Sequence, residues 1–478
     1  MSGMRMVSAA VGLALATSLA AAAPAAAAAP SAGAALPAAA ASGTDVAAPG
    51  ADSGERHCAG MGRVRVPLAE RQQASCLEDL TTAGTVASGH TDPADWAGLN
   101  APGTVNPSGV PGIQIDGYFH DSSTSNTNHG WNHDSQFVIR MPDRWNGGLV
   151  VSGSPGVREQ YANDFVISDR AVADGYAFVS TDKGNTGVRF FADGRRPGDA
   201  IAEWNFRVTQ LAIVAKATLL QRYGRLPGRT IAAGISNGGY LVRWQLENNP
   251  WLYDAGVDWE GTLFTQQTNL LTLLPPALRG YQRILAGDAG GRDEVIAAGY
   301  PAETEFLWPF HYQYYWDFTQ RVYREELDPG FDGDLEAGIP FCASGTPNCD
   351  ADYDYATRGR PVRDAVARID LTGRIGKPMI TLHGTLDTLL PIRDSDVYAQ
   401  LVERSGRGHL HRYYRVDGGT HVDGLYPLYP DRLRPLQPCF DAAFAAAQRW
   451  LGGQRPPRSA TLPRPTGGDL ANTCVLAA

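Results

Sequence analysis

A serine framed by glycines is the clearest pattern for chemistry in this 478-residue chain. Residues 234–238 read G-I-S-N-G and match G-x-S-x-G, with Ser236 at the centre. In such a motif the serine lies on a sharp turn between a strand and a helix, where side chains in place of the glycines would collide with their neighbours. The apolar run 230–235 is typical of a buried parallel strand, and a helix is predicted from about Gly239 to Glu247. This context favours a nucleophile over a serine in an ordinary turn.

A serine hydroxyl needs a base to take its proton, and the base needs an acid that holds it in one tautomer. We expect His421 to be the base, because it follows the predicted strand 411–416 in a glycine-rich loop. We expect Asp387 to be the acid, because H-G-T-L-D-T-L-L-P puts it after the predicted strand 378–382. The order Ser, acid, His along the chain is that of α/β-hydrolases.

Other downstream histidines and aspartates are weaker candidates for these two roles. His409 and His411 fall at the opposite edge of the sheet, His383 lies beside the expected acid, and His311 lies in an aromatic segment. Asp394 and Asp396 fall at a helix start, and Asp423 lies near the expected base. Capping is the commoner role for an aspartate at a helix start.

Hydrolysis also needs N–H donors for the tetrahedral oxyanion, each contributing on the order of 3 kcal/mol. One donor is expected to be the backbone N–H of Asn237, the residue after the nucleophile. The second is expected in the loop G-S-P-G at 153–156, where Pro155 has no N–H and Ser154 or Gly156 remains. An ordinary Gly/Pro turn is the alternative interpretation of this loop.

Strand-like and helix-like segments alternate from Val110 onward, which predicts an α/β fold with a mainly parallel sheet. The alternation breaks down in an aromatic-rich stretch that we interpret as an inserted lid. The predicted core has two parts, residues 57–261 and 369–452. The lid is predicted over 262–368, and the Pro/Gly-rich tail over 453–478. We expect substrate contacts from Trp308, His311, Tyr314 and Tyr315, although packing of the lid on the core explains these residues equally well.

The first 29 residues have the features of a secretory signal, with Arg5, an apolar run at 7–23 and several A-x-A sites. A signal anchor is the alternative. No other stretch is apolar enough to span a membrane, so we expect an exported protein without a membrane partner. Residues 30–56 are rich in Ala, Pro and Gly and are expected to be disordered.

The cysteines and the net charge limit the classes of partner. Six cysteines in an exported chain favour disulfides, and proximity suggests Cys58 with Cys76, Cys342 with Cys349, and Cys439 with Cys474, although six cysteines allow fifteen pairings. The spacing lacks the Cys-x-x-Cys pattern of zinc sites, so we expect no metal. A net charge of −9 argues against nucleic-acid binding.

Several motifs resemble known families. The segments M-P-D-R-W-N-G-G-L at 141–149, A-K-x-x-L-L-Q-R-Y-G at 215–224, G-x-S-N-G-G and H-G-x-x-D-x-L-x-P resemble the tannase and feruloyl esterase group. T-D-K-G at 181–184, with the same serine and aspartate segments, is similar to the secreted 3-hydroxybutyrate oligomer hydrolases. The similarity covers roughly 111–450. It implies an α/β-hydrolase core with a large lid, hydrolysis of carboxylic esters, and a triad of Ser236, Asp387 and His421.

The chain also departs from the tannase pattern. Fungal members have cysteines beside the nucleophile and the histidine, where this chain has Ile235 and Val422. The resemblance also raises calcium in the lid, but D-P-G-F-D-G-D-L-E at 328–336 is only loosely similar to an Asp-rich calcium loop. We therefore expect no cofactor, with calcium as the alternative.

The residues favour a secreted serine esterase acting on phenolic esters or on 3-hydroxybutyrate oligomers or polyester. The alternative is a secreted serine peptidase of prolyl or aminopeptidase type, which needs an acid for the substrate's amino terminus, with Glu260, Glu303 and Glu305 available. A non-catalytic binding module is the third hypothesis, but such modules usually lack a triad member.

Overall fold

The computed structural model describes residues 57–331 and 351–476. The predicted signal peptide, the segment 30–56, the Cys342 to Cys349 pair and most of the 328–336 loop lie outside the described residues. The disulfides Cys58–Cys76 and Cys439–Cys474 are both formed, as proximity suggested.

A ten-stranded sheet organises the described part of the chain. Strands β1 to β10 are Ala69–Leu77, Gly112–Phe119, Gln136–Pro142, Gly148–Gly153, Ala177–Thr181, Arg229–Ile235, Ala255–Trp259, Met379–Gly384, His411–Val416 and Ala460–Leu462. Their spatial order is β1-β2-β3-β5-β4-β6-β7-β8-β9-β10. The pairs from β1 to β3 and the pair β3 with β5 are antiparallel, and all later pairs are parallel.

Eleven α-helices occur among the described residues. Helices α1 to α11 are Thr82–Ala87, Asp169–Ala173, Asp199–Tyr223, Asn237–Asn248, Leu270–Leu285, Gly290–Ala298, Trp308–His311, Asp317–Leu327, Arg360–Ala367, Arg393–Arg404 and Gln437–Leu451. None of these helices combines the length and apolar character that a membrane crossing requires. Helices α5 to α9 all fall between β7 and β8, in the stretch where the sequence pattern stops alternating.

Alternate residues of the central strand β4 face the two sides of the sheet. Leu149 and Val151 share one core with Trp204 of α3, whereas Val150 shares the other with Phe440 of α11. A strand covered on both faces needs apolar residues at every position, which explains the unbroken apolar runs in the sequence.

Two edge strands were not anticipated from the sequence. Strand β1 precedes the start of the predicted alternation and is largely polar, because an edge strand needs few buried side chains. Strand β10 lies in the segment interpreted as a Pro/Gly-rich tail, where it pairs with β9. The tail is therefore attached to the sheet by backbone hydrogen bonds and by the Cys439–Cys474 bridge.

The carboxyl ends of the parallel strands bring five loops to one edge of the sheet. The loops after β4, β6, β7, β8 and β9 carry Gly156, Ser236, Glu260, Asp387 and His421, respectively. Open α/β sheets bind ligands at this edge.

Candidate active site

Ser236 lies on the turn between β6 and α4 with backbone angles φ 61° and ψ −122°. A positive φ is uncommon for a residue with a side chain, and it projects the serine out of the strand. A Cβ on Gly234 would lie 2.3 Å from the Gly238 carbonyl oxygen, and one on Gly238 would lie 2.5 Å from that of Gly153. Both glycines are therefore required by close backbone contacts, as in a nucleophile elbow.

The predicted acid and base are in direct contact. Nδ1 of His421 lies 2.7 Å from Oδ2 of Asp387, while the N–H groups of Leu389 and Leu390 donate to Oδ1 at 2.8 and 3.0 Å. Burial by itself would raise the pKa of Asp387, but His421 and His383 outweigh it and hold that pKa well below its usual range. An ionised Asp387 keeps the proton on Nδ1 and leaves Nε2 of His421 as the basic nitrogen.

Ser236 and His421 line the same pocket. No hydrogen bond joins the serine hydroxyl to the ring in this structure. Such bonds are often long in ligand-free enzymes and shorten in the substrate complex. The loops thus deliver all three predicted residues to one place.

A chain of buried side chains supports the acid from behind. His383 lies 3.2 Å from Asp387 through Nε2 and 2.7 Å from the Ser395 hydroxyl through Nδ1. Ser395 in turn accepts from Arg243 at 2.8 Å, and Arg243 donates to Asp258 at 2.7 Å. Because these groups are fully buried, they hold the Asp387 loop in one arrangement.

Glu260 is a second carboxyl at the histidine, and sequence reasoning had not connected it with the triad. Its Oε1 accepts from the Gly384 N–H at 2.6 Å, and its Oε2 lies 3.4 Å from Nδ1 of His421. Burial, reinforced by the negative charge of Asp387, raises the pKa of Glu260 well above its ordinary value. Burial and the neighbouring negative charge therefore favour the protonated form of Glu260. Its position directly after the buried strand β7 was the available signal.

The backbone donors near Ser236 only partly match the expectation. Asn237 is the first residue of α4, and its N–H has no acceptor among the described residues, nor has that of Gly156. Ser154 was a wrong candidate, since its N–H donates to Thr181 at 3.0 Å and its hydroxyl to the Arg158 carbonyl. The Asn237 side chain also donates to the Gly156 carbonyl at 2.9 Å. Asn237 and Gly156 are thus held side by side.

The pocket above Ser236 is lined mostly by apolar side chains. His311, Tyr314 and Tyr315 line it as expected of substrate contacts. Trp308 does not, because its side chain is fully buried and its Nε1 donates to Thr304 at 2.8 Å. Trp308 is a core residue, and the substrate role assigned to it was wrong.

Two further polar groups on the pocket wall were not anticipated. Arg158 lines the pocket close to Gly156, and Tyr323 accepts from the Asn237 side chain at 2.7 Å. His311 is held through Nδ1 by Thr388, while its buried Nε2 has no hydrogen-bond partner. Burial lowers the pKa of His311 to about 3, so its ring is neutral.

The three acids proposed for a peptidase do not line this pocket in the described structure. Glu260 lies behind His421, Glu303 is exposed, and Glu305 pairs with Arg292 at 2.9 Å. Outside the triad, one group of three carboxylates among the described residues lies close enough together to hold a cation: Asp121, Asp193 and Glu203.

Two of these three carboxylates, those of Asp121 and Glu203, form ion pairs with an arginine. Arg207 contacts both Asp121 and Glu203, each at 2.7 Å. Asp328, at the start of the suggested calcium loop, binds Arg358.

The strand order, the crossover helices and the elbow at Ser236 define an α/β-hydrolase fold, with β1 and β10 as additional edge strands. No family model matches the chain. No curated protein matches it in sequence.

The fold is similar to several solved structures. Feruloyl esterase B from Aspergillus oryzae is 14% identical with a TM-score of 0.49, over 84% of this chain and 91% of that chain. Tannin acyl hydrolase from Aspergillus niger is 14% identical with a TM-score of 0.46, over 75% and 82%. An acylaminoacyl peptidase from Pyrococcus horikoshii is 12% identical with a TM-score of 0.35, over 62% and 39%.

Proposed function

We propose that this protein is a secreted serine esterase that hydrolyses carboxylic esters through an acyl-enzyme on Ser236. The observation that carries the proposal is that a strained serine and His421 line one pocket, and that the buried Asp387 is hydrogen-bonded to His421. The two disulfides support export, because such bridges persist in oxidising compartments.

In the first half-reaction the Ser236 oxygen attacks the ester carbonyl carbon while Nε2 of His421 takes the serine proton. The N–H groups of Asn237 and Gly156 stabilise the oxyanion of the tetrahedral intermediate. The bond to the alcohol oxygen then breaks, and His421 returns its proton to the leaving alcohol. Asp387 stays ionised throughout and stabilises the imidazolium.

In the second half-reaction a water molecule attacks the acyl carbon of the acyl-enzyme. His421 takes a proton from the water, the oxyanion forms again at the same donors, and the bond to Ser236 breaks. The serine oxygen recovers its proton from His421, and the carboxylic acid is released.

The pocket disfavours the peptidase alternative. An aminopeptidase holds the ammonium group of its substrate with a carboxylate, and no carboxylate lines the pocket within the described ranges. Arg158 on the pocket wall would repel that ammonium group. The binding-module alternative gives no role to the backbone strain at Ser236, a kind of strain that clusters at active sites.

The test is ester turnover by the wild type and the Ser236→Ala variant, with p-nitrophenyl esters, methyl gallate, methyl ferulate and 3-hydroxybutyrate dimers as substrates. We expect kcat to fall by roughly 10³-fold or more. Ser180→Ala is the matched control, because that buried hydroxyl on β5 has no hydrogen-bond partner. Unchanged turnover in Ser236→Ala would contradict the site, and activity on peptide anilides alone would contradict the class.

A further inference from the structure

Arg158 is a cation on the wall of a mainly apolar pocket. The pocket lining also includes Leu99, Val157 and Ile235, and no carboxylate lines the pocket within the described ranges. Arg158 is half-buried, and a charge without an ionised partner beside apolar side chains is unfavourable, so its position requires an explanation.

The backbone holds the guanidinium in place. Nη1 donates to the Asp95 carbonyl at 3.1 Å and Nη2 to the Ala97 carbonyl at 2.9 Å. Leu99, two residues further along the same segment, lines the pocket. Arg158 and the segment 95–99, which binds its guanidinium, therefore meet at the pocket wall. These two bonds use two of its five N–H donors.

No carboxylate in the described residues neutralises this charge at ion-pair distance. Asp95 is the carboxyl that acts on Arg158 electrostatically, but burial raises the pKa of Asp95 to about 7, so it is only partly ionised at neutral pH. Burial lowers the pKa of Arg158 only to about 10, so the guanidinium remains charged. Arg158 is therefore a cation with spare donors and a weak counterion.

We propose that Arg158 binds a carboxylate of the substrate, so that the preferred substrates are esters carrying a second, ionised carboxyl group. This inference rests on the proposed esterase function. A planar guanidinium matches a carboxylate through paired hydrogen bonds, and apolar surroundings strengthen that interaction. Hydroxyalkanoate oligomers with a free terminal carboxylate belong to this class, whereas neutral phenolic methyl esters do not.

Two matched substrate pairs test the proposal. They also show whether Arg158 binds a carboxylate on the alcohol part or on the acyl part of the ester. The 3-hydroxybutyrate dimer and its methyl ester differ in a carboxylate on the alcohol part. Mono-p-nitrophenyl glutarate and p-nitrophenyl pentanoate differ in a carboxylate on the acyl part. We expect the wild type to prefer the anionic member of at least one pair in kcat/KM.

In Arg158→Met the ratio of kcat/KM for the anionic over the neutral ester should fall by roughly 10- to 100-fold, the effect of losing a hydrogen bond to a charged group. Arg158→Lys should recover part of the ratio, because the charge remains. Arg412→Met is the control, since that arginine also binds backbone carbonyls but lies outside the pocket. Its ratio should equal that of the wild type.

The outcomes distinguish a failure of the Arg158 inference from a failure of the proposed esterase function. Equal losses on both members of each pair would make Arg158 a purely structural residue and overturn the inference, as would a wild type without preference. A wild type inactive on all four esters would overturn the esterase function as well. Should Arg158→Met not fold, competitive inhibition of the wild type decides the question. Butyrate must then inhibit more strongly than butyramide, and equal inhibition refutes the inference.

Discussion

Oε2 of Glu260 lies 3.4 Å from Nδ1 of His421, the same nitrogen that Asp387 binds at 2.7 Å. Two carboxyl groups therefore meet one imidazole. Two negative charges so close together are unfavourable, and the environment shifts the two pKa values apart: it lowers that of Asp387 and raises that of Glu260.

This difference predicts unequal effects of removing the two carboxyl groups. Asp387→Asn should lower kcat by up to about 10⁴-fold, because the amide no longer fixes the reactive tautomer of His421. Glu260→Gln should cost less than about tenfold, because a neutral amide replaces a carboxyl group whose neutral form the surroundings favour. Steady-state kinetics of the two variants on one p-nitrophenyl ester provide the comparison. A larger loss in Glu260→Gln would make Glu260 the catalytic acid.

The elbow predicts a strict requirement for glycine at position 234. In Gly234→Ala the new Cβ would meet the Gly238 carbonyl oxygen at 2.3 Å, so backbone must shift. We expect a loss of about 1–3 kcal/mol in the free energy of unfolding, together with reduced turnover. Gly228→Ala, just before the same strand, is the control, because its Cβ would have no contact closer than 4.0 Å. Equal stability of the two variants in urea would refute the close-contact argument.

Asp394 predicts a change of stability with pH. It is buried without a hydrogen-bond partner for either oxygen, and burial raises its pKa from 3.8 to about 8. Between these values the unfolded chain has lost the proton that the folded chain keeps, so Asp394 makes stability fall as pH rises from about 4 to 8. Below pH 4 both states are protonated, and this effect disappears.

Asp394→Asn should remove this contribution. The variant should exceed the wild type in Tm by a margin that grows from pH 5 to pH 8 and reflects on the order of a few kcal/mol. Asp396→Asn is the control, because Asp396 pairs with Arg415 at the partly exposed surface. Thermal unfolding across this pH range measures the effect, and a constant margin would contradict the assignment.

Much of the candidate site follows from local sequence pattern. Ser236 was predictable because a buried strand, a turn and a helix are contiguous in sequence. Asp387 and His421 were predictable because each follows a recognisable strand. Strands β1 and β10 were harder, since edge strands require few apolar residues.

The remaining contacts depend on distant parts of the chain. Arg158 is held by the carbonyls of Asp95 and Ala97, more than sixty residues earlier. Ser154 loses its N–H to Thr181 through a contact that no local pattern encodes. Trp308 looked like a substrate contact because aromatic composition does not distinguish a pocket wall from a core.

Covalent labelling shows whether Ser236 is the nucleophile. The wild type is treated with diethyl p-nitrophenyl phosphate, and the modified residue is located by peptide mass mapping while residual ester hydrolysis is measured. We expect one diethylphosphoryl group per chain, on Ser236, with hydrolysis lost in proportion to labelling. Full inactivation with Ser236 unmodified, or full activity with Ser236 labelled, would contradict it.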